Sequence, residues 1–278
     1  MGGPGSPCRA WQTRCVSPVE RPDDPRVDAF RALRARESTE VLWAEGPTVV
    51  SRALASGVRV RSILLTPSAH DRLSASGALD DVDPSVEVFV AEQRVLNEIV
   101  GFDLHRGVIA TADRPTLRPL GAVIGGARRL VVLEGLNDPE NLGAIARSAR
   151  ALGADGLVLD PTCADPYYRR TVRVSMGEVL HLPIARALLD AAFASLVDAG
   201  FAVWALTPRR DATPIGELLA TGAPDRLALV LGAEGPGLSE AVLSRIVNVR
   251  IPQRDEVDSM NVGHATAAAL ALVASSTP

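Results

Sequence analysis

The stretch RLVVLEGLNDPENLGAIARSARALG, Arg129–Gly153, decides how this chain folds. Arg129–Leu136 is a near-continuous apolar run, as expected of a strand whose two faces are both covered by helices. Asp138 then reads as a helix N-cap and Pro139 as the first helical residue. Leu142, Ile145, Ala146, Ala149 and Leu152 recur at helical spacing, and Gly153 closes the helix. A buried strand running directly into an amphipathic helix is one half of a parallel βαβ unit.

The same alternation continues downstream. GLVLD (Gly156–Asp160) is the next strand, and a helix over 188–199 ends at Gly200. FAVWAL (Phe201–Leu206) and RLALVLG (Arg226–Gly232) are further strands, the second entering the loop AEGPG. A helix over 238–245, the strand VNVRIP, a polar loop and a terminal helix follow. Strands alternating with helices predict an α/β fold with a parallel sheet and helices on both faces. Ligands in such sheets bind beyond the C-terminal strand ends.

Upstream, residues 23–115 read as one small α/β unit. Its strands are expected at 58–65, 86–90 and 107–110, with helices over 46–55 and 92–100. Pro115–Gly126 carries two prolines and three glycines with no clear period, and residues 116–128 read as a linker to the domain 129–278. Residues 1–22 hold Gly, Pro, Ser and scattered Arg with no apolar core, so they read as a disordered tail and not as a secretory signal.

Composition sets limits on function. With 278 residues, 47% hydrophobic, the chain can bury a sizeable core, and 4% aromatic content leaves that core to Ala, Val, Leu and Ile. No apolar run approaches the ~20 residues of a membrane-spanning helix, and Ala265–Ala274 suits a buried helix better. Cys8, Cys15 and Cys163 make no C-x-x-C pair, and His70, His105, His181 and His264 make no H-E-x-x-H pattern. A cytoplasmic protein without metal is the expectation. The net charge is −4, and all 29 basic residues are Arg. GC-rich coding accounts for the missing Lys as readily as function does. A local Arg patch can still hold nucleic acid on an acidic protein, because screening limits distant charges to about 10 Å.

Three segments, each starting at a predicted strand end, carry chemistry. In NLGAIARSA, Asn141 sits at a helix start and Arg147 lies six residues on, about 600° round the helix. Only the long Arg147 side chain can bring the two groups to one pocket. LGAEGPG (Leu231–Gly237) has glycines for close approach to a ligand and a carboxylate, Glu234, which would be costly if merely buried. In IPQRDEVDSMNVGHATAAALAL (Ile251–Leu272), Ser259 or Asn261 can cap the last helix. Taken singly, these are also readable as a helix start with a solvated charge, a tight turn, and a charged loop before a core helix.

In this order and spacing the segments resemble the TrmH (SpoU) branch of the SPOUT methyltransferases. Asn141, Gly143 and Arg147 match the family's N-x-G-x-x-x-R pattern, and Gly232, Glu234 and Gly237 its G-x-E-x-x-G pattern. Ile251, Pro252, Ser259, Asn261 and Val262 fit its I-P…S-L-N-V pattern, with Met260 in place of Leu. RVSMGE (Arg173–Glu178) also looks like a family segment. The likeness is strong over 129–275 and weaker over 37–113, where AEGPTVV and HRGVIA resemble a small ribosomal-protein-like substrate-binding domain. Gly263 and His264 depart from the family's small residues, which alters helix packing or brings His264 near the cofactor.

The resemblance implies a deep trefoil knot and a homodimer formed through the catalytic domain. It implies S-adenosyl-L-methionine held by Leu206, Thr207, Leu231, Gly232, Ile251 and Met260, with catalytic roles for Arg147, Asn141, Glu234 and Asn261. The reaction implied is methylation of a ribose 2′-hydroxyl of RNA, with 23S ribosomal RNA favoured by the N-terminal unit. A tRNA substrate is the alternative within this fold, and a non-catalytic RNA-binding protein the alternative outside catalysis.

Overall fold

The computed structural model describes residues 16–35, 40–80, 82–254 and 256–276, with Arg34 and Ala35 described by their backbone alone. The chain divides into two compact units, through Asp113 and from Arg114 onward.

The first unit runs β1 (Val16–Val19), α1 (Asp28–Ala35), β2 (Val41–Glu45), α2 (Pro47–Ala55), β3 (Val60–Leu65), α3 (Pro67–Ala75), β4 (Glu87–Ala91), α4 (Gln93–Val100) and β5 (Val108–Asp113). Its sheet has five strands in the order β1-β4-β3-β5-β2. β5 is antiparallel to both neighbours, and the other pairings are parallel. Phe30, Trp43, Leu64, Phe89, Leu96 and Ile109 form its core. Residues 16–19 of the expected tail form β1, which pairs with β4 and buries Val19. Pro18 is tolerated because β1 is an edge strand, where no ladder donor is needed on the open side. Residues 1–15 of the expected tail, with Cys8 and Cys15, lie outside the described residues.

The second unit runs α5 (Leu120–Gly125), β6 (Arg129–Glu134), α6 (Pro139–Ala151), β7 (Gly156–Leu159), α7 (Arg169–Val174), β8 (Ile184–Arg186), α8 (Leu189–Asp198), β9 (Ala202–Leu206), β10 (Thr213–Pro214), α9 (Ile215–Leu219), β11 (Leu227–Gly232), α10 (Glu240–Leu243), β12 (Val247–Arg250) and α11 (Val262–Ser275). Seven strands lie in the order β10-β12-β9-β11-β6-β7-β8. Every pairing is parallel. β7 and β11 are buried at every position, which is why they read as unbroken apolar runs.

The expected linker 116–128 is part of this unit. Val123, Ile124 and Ala127 pack into the core with Val132, Val158, Phe193, Leu196 and Val230. Two buried aliphatic side chains at about 1.5–3 kcal/mol each outweigh the prolines as a guide to where a segment belongs. Arg also serves as internal scaffold. Arg186 donates to the carbonyls of Asp160, Pro161, Cys163 and Ala164. Arg226 donates to those of Ile124, Ala127 and Ala199 and stacks 4.2 Å from the Phe201 ring centre. A planar fork with several donors does this, and an ammonium does not.

Candidate active site

Parallel pairing brings the C-terminal ends of β12, β9, β11 and β6 to one edge, in that order. Gly232 stands level with Glu134, and Val249 with Leu206. The loops that leave these ends therefore meet although they are far apart in sequence. Thr207 N–H donates to Val249 carbonyl at 2.9 Å, continuing the pairing into the first of them.

The helix after β6 begins as its sequence requires. Asp138 accepts from Glu140 N–H at 2.9 Å, and Pro139 opens α6. Asn141, only 6% exposed, then sits in its first turn. Asn141 Nδ2 donates to Glu234 Oε2 at 2.7 Å, and its Oδ1 accepts from Asn261 Nδ2 at 2.8 Å. Asn261 Oδ1 in turn accepts from the N–H groups of Gly263 and His264, so Asn261, not Ser259, caps α11. One chain of side-chain hydrogen bonds thus joins all three segments.

Glycines allow the approach. A Cβ on Gly232 would lie 2.1 Å from the Gly237 carbonyl carbon, because the loop doubles back on the strand end. Gly235 and Gly237 have φ of 92° and 69°, as such a loop demands. A Cβ on Gly143 would meet Val174 Cβ at 2.8 Å, which seats α6 directly on RVSMGE. Glu134 receives both the N–H and the hydroxyl of Ser239, pinning the far end of the loop. Sequence reasoning missed this pair, although a carboxylate closing an apolar strand was its signal.

A cavity of about 240 Å³ opens among these loops. Leu206, Thr207, Leu231, Gly232, Ile251 and Met260 all line it, together with Glu234, Ser259 and Asn261. Val262 of the third motif also lines it, as do Pro208, Gln253 and Ala265, which were not singled out in the sequence. Its apolar side chains include Leu206, Leu231, Ile251 and Met260, while the main-chain N–H groups of Ser259 and Met260 donate to no described residue. Aliphatic walls with free backbone donors are what a nucleoside with an apolar face and a polar edge requires.

Three candidates do not line this cavity: Asn141, which bonds the lining residues Glu234 and Asn261, and also Arg147 and His264. Arg147 is exposed, and its side chain bonds no described residue. His264 is exposed at the start of α11, outside the cavity lining. Beneath the β7 end, burial opposes ionisation of Asp160, yet bonds from Thr162, Gly135 and Cys163 hold its pKa below the ordinary value. Burial pushes the neighbouring Cys163 thiol up to about 12. Among the described residues, no group of His, Cys, Asp and Glu is placed to hold a metal ion, and no helix is long and apolar enough to cross a membrane.

A parallel α/β sheet with a cavity at its strand ends, lined in part by glycines and braced by a Glu234–Asn141–Asn261 chain, belongs to the class of α/β proteins that bind ligands at their strand ends. The sequence model of the SpoU rRNA Methylase family matches residues 128–271, and the chain belongs to that family. It is 43% identical over 266 residues to an uncharacterized tRNA/rRNA methyltransferase of Mycobacterium tuberculosis, covering 92% of this chain and 90% of the relative. The 23S rRNA (guanosine(2553)-2′-O)-methyltransferase RlmP of Bacillus subtilis is 25% identical over 253 residues, 90% of this chain and 96% of RlmP. The crystal structure of an AdoMet-bound rRNA methyltransferase from Sinorhizobium meliloti superposes with a TM-score of 0.75 at 27% identity, covering 93% of this chain and 97% of that one.

Proposed function

We propose that this protein transfers a methyl group from S-adenosyl-L-methionine to a ribose 2′-hydroxyl of RNA, with 23S ribosomal RNA as the favoured substrate. The observation that carries the reading is the Glu234–Asn141–Asn261 chain, whose two ends line the strand-end cavity. The Sinorhizobium structure at 27% identity and RlmP at 25% support the donor and the substrate class.

In this reading Leu206, Leu231, Ile251 and Met260 clasp the donor's adenine, and Thr207 and Gly232 bring backbone to its edge. When bound, the sulfonium supplies an electrophilic methyl and a neutral leaving group. The protein has to align the ribose hydroxyl with that methyl and assist loss of its proton. Arg147 is poorly suited to take the proton, since a guanidinium stays charged at ordinary pH. Its exposed, unbonded head instead holds the RNA phosphate and stabilises developing alkoxide charge, while the proton leaves to a phosphate oxygen or water. Asn141 and Asn261 hold the three loops in register, and Glu234 fixes Asn141. The same reading includes a trefoil knot around the donor loops, and a homodimer in which each partner completes the other's site.

Arg147→Ala tests it. Methyl transfer falls by about a thousandfold, as for loss of a key charge-stabilising donor, while donor affinity stays within a few-fold. Near-normal turnover sinks the assignment of Arg147. Mapping the methylated ribose in purified 23S ribosomal RNA and tRNA decides the substrate.

A further inference from the structure

Among the described residues that line the donor cavity, Glu234 alone has an ionisable side chain. The other polar side chains there, on Thr207, Gln253, Ser259 and Asn261, are neutral. Glu234 Oε2 accepts from Asn141 Nδ2 at 2.7 Å, while its Oε1 bonds no described residue. Charged groups on the neighbouring segments are placed elsewhere. Glu134, level with Gly232 on β6, takes both donors of Ser239 and does not line the cavity. Arg210, Arg250, Arg254 and Asp258 line a separate depression, and Arg147, Glu256 and His264 line neither.

A lone carboxylate beside a ligand cavity favours a cation over a neutral group of the same shape. S-adenosylmethionine has a positive sulfonium. S-adenosylhomocysteine, which remains once the methyl has left, has a neutral sulfur in its place. The two share their adenosine and their amino-acid tail, so the apolar walls and backbone groups serve both alike. Beyond the methyl itself, only a charged group can tell them apart, and specificity is that difference of affinities.

We propose that Glu234 is the counter-charge to the donor's sulfonium, so that the cavity binds the donor in preference to the product left after transfer. The proposal rests on the methyl-transfer reading above. The sulfur loses its charge as the methyl leaves, so this attraction acts on binding and product release and does not lower the barrier to transfer. Glu234 is exposed, so water and salt weaken the attraction and the preference is modest.

Calorimetry with each ligand on the full-length protein tests it, read as the ratio of the two dissociation constants. Glu234→Gln keeps an acceptor for Asn141 Nδ2 and removes the charge, and it is expected to lower the preference for the donor about fivefold. Glu234→Asp keeps the charge, and with it most of the preference, whatever happens to the two affinities. In the unaltered protein the preference narrows as salt rises, and in the Gln variant it is insensitive to salt. Charges on the shared tail weaken both ligands together and cancel from the ratio. Equal weakening of both ligands in the Gln variant overturns the proposal, since it assigns Glu234 to the shared tail or to the shape of the loop. So does a preference in the unaltered protein that salt leaves unchanged, a measurement that needs no variant to fold. Failure of the unaltered protein to bind either ligand removes the donor reading itself, and the counter-charge with it.

Discussion

The two units use polar side chains differently. In the first, hydrogen bonds tie strand to strand or helix to sheet: Ser62 and Thr111 hydroxyls meet at 2.7 Å across β3 and β5, and Trp43 Nε1 donates to Ala29 carbonyl at 3.1 Å. In the second, the decisive bonds tie loop to loop, joining Asn141 to Glu234, Asn261 to Asn141, and Ser239 to Glu134. Strand direction is the cause. β5 runs against its neighbours, so the loops of the first sheet are shared between both edges. Seven strands all running one way deliver every strand-end loop to the same edge, where side chains can be cross-linked into a site.

This contrast predicts that loop-to-loop contacts govern ligand binding and transfer, while strand-to-strand contacts govern stability alone. Asn141→Ala tests it most strongly. It strands the Glu234 carboxylate and the Asn261 amide at about 1–3 kcal/mol each, so methyl transfer is expected to fall about a hundredfold or more. Retention of a tenth of normal turnover means the chain of bonds does not organise the site. Gly232→Ala comes next. The added methyl must push the Gly237 turn away, at about 1–3 kcal/mol, so donor affinity falls about tenfold to a hundredfold by calorimetry. An unchanged Kd would falsify the close approach of that loop.

Asp160→Asn reads the support beneath the site. Asp160 accepts from Gly135 N–H on one oxygen and from Thr162 and Cys163 on the other, so an amide turns one acceptor into a donor facing a donor. The melting temperature should drop by the equivalent of about 1–2 kcal/mol. Because its folded pKa lies below the unfolded value, the native carboxylate stabilises fully above about pH 4 and loses that stabilisation as pH falls through the folded value. The Asn variant should lack this part of the acid transition, and identical acid profiles would remove Asp160 from the account. Ser62→Ala has the smallest effect, about 1 kcal/mol of stability, and donor affinity should not move. A shift in donor affinity there would erase the distinction between the units.

Much of the second unit was legible in the sequence. The runs at 129–136, 156–160 and 226–232 are buried on both faces, so composition alone marked them as strands, and Asp138 and Pro139 marked the start of α6. The short pieces β8, β10, α7 and α9 were not legible, since a few residues give periodicity too little length to register. β1 was hidden by its proline, and α5 by the glycines and prolines around it. In the site, Leu206, Thr207, Leu231, Gly232, Glu234, Ile251, Met260 and Asn261 line one cavity and Asn141 bonds two of them, whereas Arg147 stands outside it and Glu234 bonds Asn141 and not Arg147.

Residue types and spacing sufficed for the parallel α/β class, for the strand ends as the place of the site, and for the identity of most groups there. Those follow from local rules, since apolar runs, caps and glycines act within a few residues. Which side chains touch was settled in three dimensions. Asn141 lies 93 residues from Glu234 and 120 from Asn261, and only the strand order that places β11 beside β6 turns three separate loops into one bonded frame.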